Sequence, residues 1–236
     1  MSNVYMYGID VSEWDGNVDF SLYKDQFVII RLGFGTNIDK KAVRNMNECE
    51  KFGIPYGVYW HSYALTAKDA EEEAELCLNM INGKRKVRVG VWIKMSDADH
   101  YKEKHGVTSQ EDISAICKAF CEKIKKAGYY IGIQSDASWF GIKIKECGKY
   151  DWWVSSYGVD NGKLNTNTSA MGSLQQYSSK PLFKNVMYKP IYKYADNRIT
   201  MQKSEDYSMI SLSDDQHSKQ NRKSILKLFK RFFHGR

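Results

Sequence analysis

Asp97 and Asp99 stand close to His100 and His105, and carboxylates beside imidazoles are the side chains that bind metals or move protons. Their spacing matches no standard zinc pattern, so the sequence implies neither a metal nor a cofactor, and the stretch reads as a solvated loop. The five cysteines, Cys49, Cys77, Cys117, Cys121 and Cys147, contain no CxxC pair. Cys117 and Cys121 share one face of a helical stretch, which fits buried, reduced thiols. A catalytic thiol needs a partner histidine, and the local sequence supplies none. His61 follows Trp60 in a strand-like run and reads as an interior histidine with its hydrogen bonds satisfied. Gly33-Phe34-Gly35 lacks the third glycine of a dinucleotide-binding loop.

Short apolar runs that alternate with helical patterns must position these residues. Strands are expected at 6–11, 27–33, 56–63, 87–95, 129–135, 151–157 and 174–177, and helices at 41–52, 67–81 and 111–127. In the second helix Ala70, Ala74, Cys77, Leu78 and Ile81 recur at the helical period, leaving Glu71, Glu72 and Glu73 for solvent. Strands that are apolar on both faces and separated by helices indicate βα repeats with a mainly parallel sheet. Such repeats in roughly 200 residues fit an α/β chain folded as a compact TIM-like (β/α) barrel, with an open doubly wound sheet as the rival.

The chain has 236 residues, 42% of them hydrophobic and 14% aromatic, enough for a sizeable core, which excludes global disorder. The net charge of +7 is unevenly placed: residues 217–236 hold seven Lys and Arg and no acid, and in the rest 28 basic residues balance 28 acidic ones. A neutral body argues against a nucleic-acid partner. The chain therefore divides into a barrel at 1–200, a polar linker at 201–216 and a basic tail at 217–236. At about 100° per residue, Ile225, Leu226, Leu228, Phe229, Phe232 and Phe233 fall on one arc, and Lys223, Lys227, Lys230 and Arg231 fall opposite. Such a cationic amphipathic helix fits an anionic membrane surface, a partner's groove, or the barrel itself.

Five separated blocks, in order, resemble the family 25 glycoside hydrolases, the Chalaropsis-type lysozymes. GIDVSEWDG (8–16) looks like that family's first strand and loop, FVIIRLGFG (27–35) like its second strand, and GIPYGVYWHSYALTAKDAEEEAE (53–75) like its third strand and next helix. KAFCEKIKKAGYYIGIQS and YDWWVSSYG fit later βα units, and LQQYSS (174–179) resembles a late QY(T/S)S strand. The resemblance covers roughly residues 4–200. It implies a (β/α) barrel with a glycan groove at the carboxyl ends of its strands, and peptidoglycan or a related amino-sugar glycan as partner.

The catalytic positions depart from that family. Where it carries an Asp-x-Glu pair at the end of its fourth strand, this chain has Lys94 and Ser96; where it carries a late Asn-Val-Asp, this chain has Asn185-Val186-Met187. Asp10 is the one family carboxylate that survives. Glycoside hydrolysis uses one carboxyl to protonate the leaving oxygen and another as nucleophile, base or stabiliser of positive charge. Serine is no acid near neutral pH, and Lys94 places positive charge where the transition state develops it. Lys94 and Ser96 share a strand face that Asp97 does not, so rescue by Asp97 or by Asp99 beyond the strand needs a returning loop. An ion pair between Lys94 and Asp10 is the expected structural use of that lysine.

Three functions compete on these residues. The first is a pseudoenzyme that keeps glycan binding through Trp14, Trp60, Tyr63, Trp139, Trp153 and Tyr177, aromatics at or near strand ends whose faces stack on sugar rings. The second is an active, endolysin-like muramidase with displaced carboxylates. The third is a non-enzymatic protein working through its basic tail. The N-terminus lacks a basic segment followed by an apolar one, so no signal peptide is read, and synthesis in the cytoplasm with later action at the cell wall or membrane is the expectation.

Overall fold

In a computed structural model, which describes residues 4–180 and 182–191, the elements run β1 (Met6–Val11), β2 (Phe27–Phe34), β3 (Asn37–Ile38), α1 (Ala42–Phe52), β4 (Tyr56–His61), α2 (Ala67–Ile81), β5 (Val87–Lys94), α3 (Tyr101–Lys104), α4 (Gln110–Lys126), β6 (Ile131–Asp136), β7 (Asp151–Ser155), β8 (Leu174–Ser178) and β9 (Phe183–Met187). The linker and tail, with Lys223, Lys227, Phe229, Lys230, Arg231, Phe232 and Phe233, lie outside the described residues. Eight strands close on themselves because β1 pairs with both β2 and β9, while β3 hangs on β2 as a short hairpin. Pairing is parallel from β1 through β2 and β4 to β8, and antiparallel on both sides of β9.

Local chemistry starts and stops the helices. Thr66 and Asp69 form a capping box at the head of α2, and Ser109 caps α4. Gly53 ends α1 in the left-handed conformation, its N–H returned to Cys49 and Glu50 carbonyls. The inner faces of α2 and α4 bury Ala70, Ala74, Cys77, Ile113, Cys117, Phe120 and Ile124, and all five cysteines are buried and free. Among the described residues no helix is long and apolar enough to cross a membrane.

The barrel differs from a regular βα repeat after β6. Segments 137–150 and 156–173 carry turns and no α-helix, the second being rich in Gly, Asn, Ser and Thr, which compete for backbone hydrogen bonds. Strand β9, absent from the sequence expectation, hides its pattern because an inward position is the polar Asn185.

Inside the barrel, Tyr59, Trp92 and Trp153 pack edge to face, with ring centroids 5.9 and 6.1 Å apart, above Phe27, Val89, Leu174 and Met187. Trp92 is fully buried and fits because its partner in the next strand is Gly132; a Cβ there would lie 2.1 Å from the Trp92 ring and 2.7 Å from the Asp151 carbonyl. Gly132→Ala is expected to cost about 1–3 kcal/mol by overpacking, read as a lower urea midpoint with an unchanged slope.

Candidate functional site at the barrel mouth

Alternation along the strands decides which side chains reach the carboxyl-end mouth. Asp10 comes from β1, His61 from β4, Lys94 from β5, Gln134 and Asp136 from β6, Ser155 from β7, Gln176 from β8 and Asn185 from β9. A hydrogen-bond belt joins several of them. Gln134 Nε2 donates to Ser155 Oγ at 2.6 Å, and Ser155 Oγ donates to Gln176 Oε1 at 2.9 Å. Gln176 Nε2 and Asn185 Nδ2 each donate to Asp10 Oδ1 at 2.7 Å. Asn185 Oδ1 accepts from Trp153 Nε1 at 2.8 Å, tying the belt to the aromatic floor.

Asp10 is 3% exposed, and burial pushes its carboxyl up to about 6, against the opposing pull of Lys94 and the two amides. Lys94 makes no direct ion pair with it, contrary to the pairing expected from the sequence. The amides of Gln176 and Asn185 satisfy Asp10 instead, and Lys94 acts on it through space. The Lys94 ammonium lies 5.7 Å from the Tyr59 ring centroid and 5.8 Å from that of Phe183. Burial lowers its pKa, while Asp10 and Asp136 favour the charged form.

Ser96 shares a 3.0 Å hydrogen bond with His61 Nε2. Burial, reinforced by Lys94, Lys102 and Arg31, pulls His61 down to about 3, so it is neutral at physiological pH and a feeble base. On β2, the strand next to that of His61, Arg31 holds Asp39 at 2.7 Å and Glu13 at 3.2 Å.

Asp97 and Asp99 do not return to the mouth. Asp97 accepts from the backbone N–H groups of Lys102 and Glu103 at 2.7 and 3.1 Å, capping α3, and Asp99 accepts from Tyr63 Oη at 2.8 Å. The Tyr63 hydroxyl keeps the Asp99 carboxyl below the usual range, the wrong direction for a general acid. Asp97→Ala is expected to lose about 0.5–2 kcal/mol of stability through α3, the ordinary worth of a cap, read as a lower thermal midpoint.

The aromatics separate by strand face. Trp60 and Trp153 are fully buried: Trp60 Nε1 donates to the Gly35 carbonyl, and Trp153 forms the floor below the mouth. Tyr177 points outward, its ring 6.4 Å from Tyr7, because alternation turns Leu174 and Gln176 inward. Trp14 is 80% exposed on the loop after β1, and Trp139, half-buried after β6, lies under the Lys143 ammonium. Tyr63 is half-buried, 5.2 Å from His61, and borders a groove of about 740 Å³ that runs between the β2–β3 hairpin and the acidic face of α2. Met187 requires a correction. It lies in the apolar interior beside Leu174 and Trp153, and the β9 residue at the mouth is Asn185, two positions nearer the rim. Sequence reasoning also missed Asp136 and Gln134, whose signal was their period-two placement on a strand already expected.

A family model for glycosyl hydrolases family 25 matches residues 9–186. The chain belongs to glycosyl hydrolase family 25. Solved structures agree on the fold of this family 25 chain. The autolysin LytC from Streptococcus pneumoniae, in complex with a synthetic peptidoglycan ligand, is 24% identical with a TM-score of 0.65, covering 77% of this chain and 46% of LytC. The chain thus spans less than half the length of that relative. The catalytic domain of endolysin ply40, from bacteriophage P40 of Listeria monocytogenes, is 24% identical at a TM-score of 0.65, covering 79% of this chain and 95% of the domain. A family 25 glycosyl hydrolase from Bacillus anthracis is 18% identical at 0.63, covering 80% and 91%. No curated protein matches the sequence.

Proposed function

We propose that this family 25 barrel retains glycan binding at its mouth and has lost hydrolysis, with peptidoglycan or a related amino-sugar polymer as its ligand. The observation that carries this reading is the end of β5, where Lys94 and, just beyond the strand, Ser96 stand at the positions to which the motif resemblance assigns the family's carboxylate pair. Ser96 is bonded to a neutral histidine and has no acidic proton to give. Lys94 brings a cation to the place where an oxocarbenium-like centre forms. The LytC complex with a peptidoglycan ligand supports the choice of polymer.

A second reading has one observation in its favour. Asp10 and Asp136 both face the mouth, and both carboxyls are raised, as a general acid requires. The same Lys94 ammonium draws each of them toward the ionised form and opposes cationic charge between them, which weighs against turnover. Co-sedimentation with purified peptidoglycan tests the proposal. The full chain is expected to pellet with the wall, and retention in the supernatant at every wall concentration overturns it.

A further inference from the structure

Lys94 sets a primary amine at the barrel mouth, half-buried at the end of β5 and in register with His61 on β4 and Gln134 on β6. Its ammonium makes no hydrogen bond and no direct ion pair with any described residue; the ring centroids of Tyr59 and Phe183 lie 5.7 and 5.8 Å from it instead. The charges that reach it are Asp10 from β1, Asp136 from β6 and Arg31 from β2, and His61 beside it is neutral. Burial outweighs the two carboxyls and lowers the pKa of the ammonium, which enlarges the fraction of neutral amine. A primary amine held partly out of water is a nucleophile for carbonyl carbon. A salt-bridged lysine has to break its contact before it reacts, and Lys94 has no such contact among the described residues.

We propose that Lys94 is a covalent capture site for small neutral aldehydes, held as a protonated imine at the mouth. This is separate from the glycan reading and shares no ligand with it. The amine lone pair forms the C–N bond, and a proton moves from nitrogen to the carbonyl oxygen, giving a carbinolamine. A proton from the Asp10 or Asp136 carboxyl then carries the hydroxyl away as water, and the C=N bond forms. Burial raises both carboxyls toward the protonated form that this step needs. The product keeps a single positive charge, so the carboxyls and rings that now surround the ammonium also favour the iminium. The same carboxyls repel an aldehyde that carries a carboxylate, which sets the preference for a neutral one.

Trapping with sodium cyanoborohydride, which reduces an imine to a stable secondary amine, tests this on the full wild-type chain at neutral pH. The probes are butanal and 4-oxobutanoate, the same carbon chain ending in a carboxylate, and peptide mass spectrometry reads the rate at each lysine. Lys68 on α2, its side chain 84% exposed, is the reference in the same tube. Lys94 is expected to react with butanal about ten-fold faster than Lys68 or more. That advantage is expected to fall by about three-fold or more with 4-oxobutanoate. In urea, where the mouth is gone, the two lysines are expected to react alike. A Lys94 rate at or below that of Lys68 overturns the proposal, as does an advantage that survives in urea and so belongs to the local sequence. An equal advantage with both probes overturns the preference for neutral aldehydes. No variant has to fold for any of these readings.

Discussion

Replacing Lys94 by Asp and Ser96 by Glu together is expected to create peptidoglycan hydrolysis, at least 100-fold above the wild-type background in reducing-end release. General acid catalysis alone is worth about 10²–10⁴-fold, and removing a misplaced cation adds to it. The pair must be changed as a pair. Ser96→Glu alone would set a new carboxyl near Lys94, whose charge holds it ionised and useless as an acid. Lys94→Asp alone leaves no proton donor at position 96. In the double variant the new Asp stands near Asp10 and Asp136, and like charges in a buried mouth raise carboxyl pKa values toward the range a general acid needs. A folded, wall-binding double variant that releases no reducing ends would show that another departure, such as Asn185 at the mouth, also blocks turnover.

The buried Asp10 carboxyl predicts an unusual dependence of stability on pH. Asp10 titrates near 6 in the folded chain against 3.8 for an unperturbed carboxyl. A carboxyl raised on folding binds its proton more tightly in the native state. Its contribution is therefore fully present below about pH 4 and is lost as pH rises through 6. The shift corresponds to about 3 kcal/mol as an upper bound, less what Lys94 loses when its neighbour is removed. Asp10→Asn is expected to raise stability by about 1–3 kcal/mol at pH 8 and to change it little at pH 4, because an amide replaces a protonated acid. Urea midpoints of both proteins at the two pH values check this. Burial also pushes Glu73 up to about 7, so the wild type alone carries a mixed signal, and the difference between the two proteins isolates Asp10. An equal effect of the substitution at both pH values contradicts the assignment.

The barrel was legible because its early strands are continuous apolar runs and its helices carry clear stripes. Phe27 to Leu32 and Val89 to Ile93 are buried with little alternation, as parallel strands covered on both faces require. The pattern faded where function and topology override propensity. Asn185 sits on an inward position of β9 because it must serve Asp10, and so the strand does not read as one. Counting along the motif sets Met187 against the family's late carboxylate, whereas the antiparallel direction of β9 sends it down into the core. That a lysine and a serine, not acids, stand at 94 and 96 was visible directly in the residues. The real partners of Asp10 were not, because Gln176 and Asn185 are 166 and 175 residues away in sequence and meet it only when the barrel closes. Trp60 and Trp153 show the limit of judging an aromatic by its nearness to a strand end, since one outward and one inward ring are equally buried.

The most direct measurement is reducing-end release from purified peptidoglycan by the wild-type chain at high concentration, with the amount of wall-bound protein determined in the same tubes. A family 25 barrel with Lys94 and Ser96 at the end of β5 predicts protein in the wall pellet and no release above the buffer control. Release that scales with protein and disappears in Asp10→Asn or Asp136→Asn would contradict this, and would make those two carboxylates the catalytic pair.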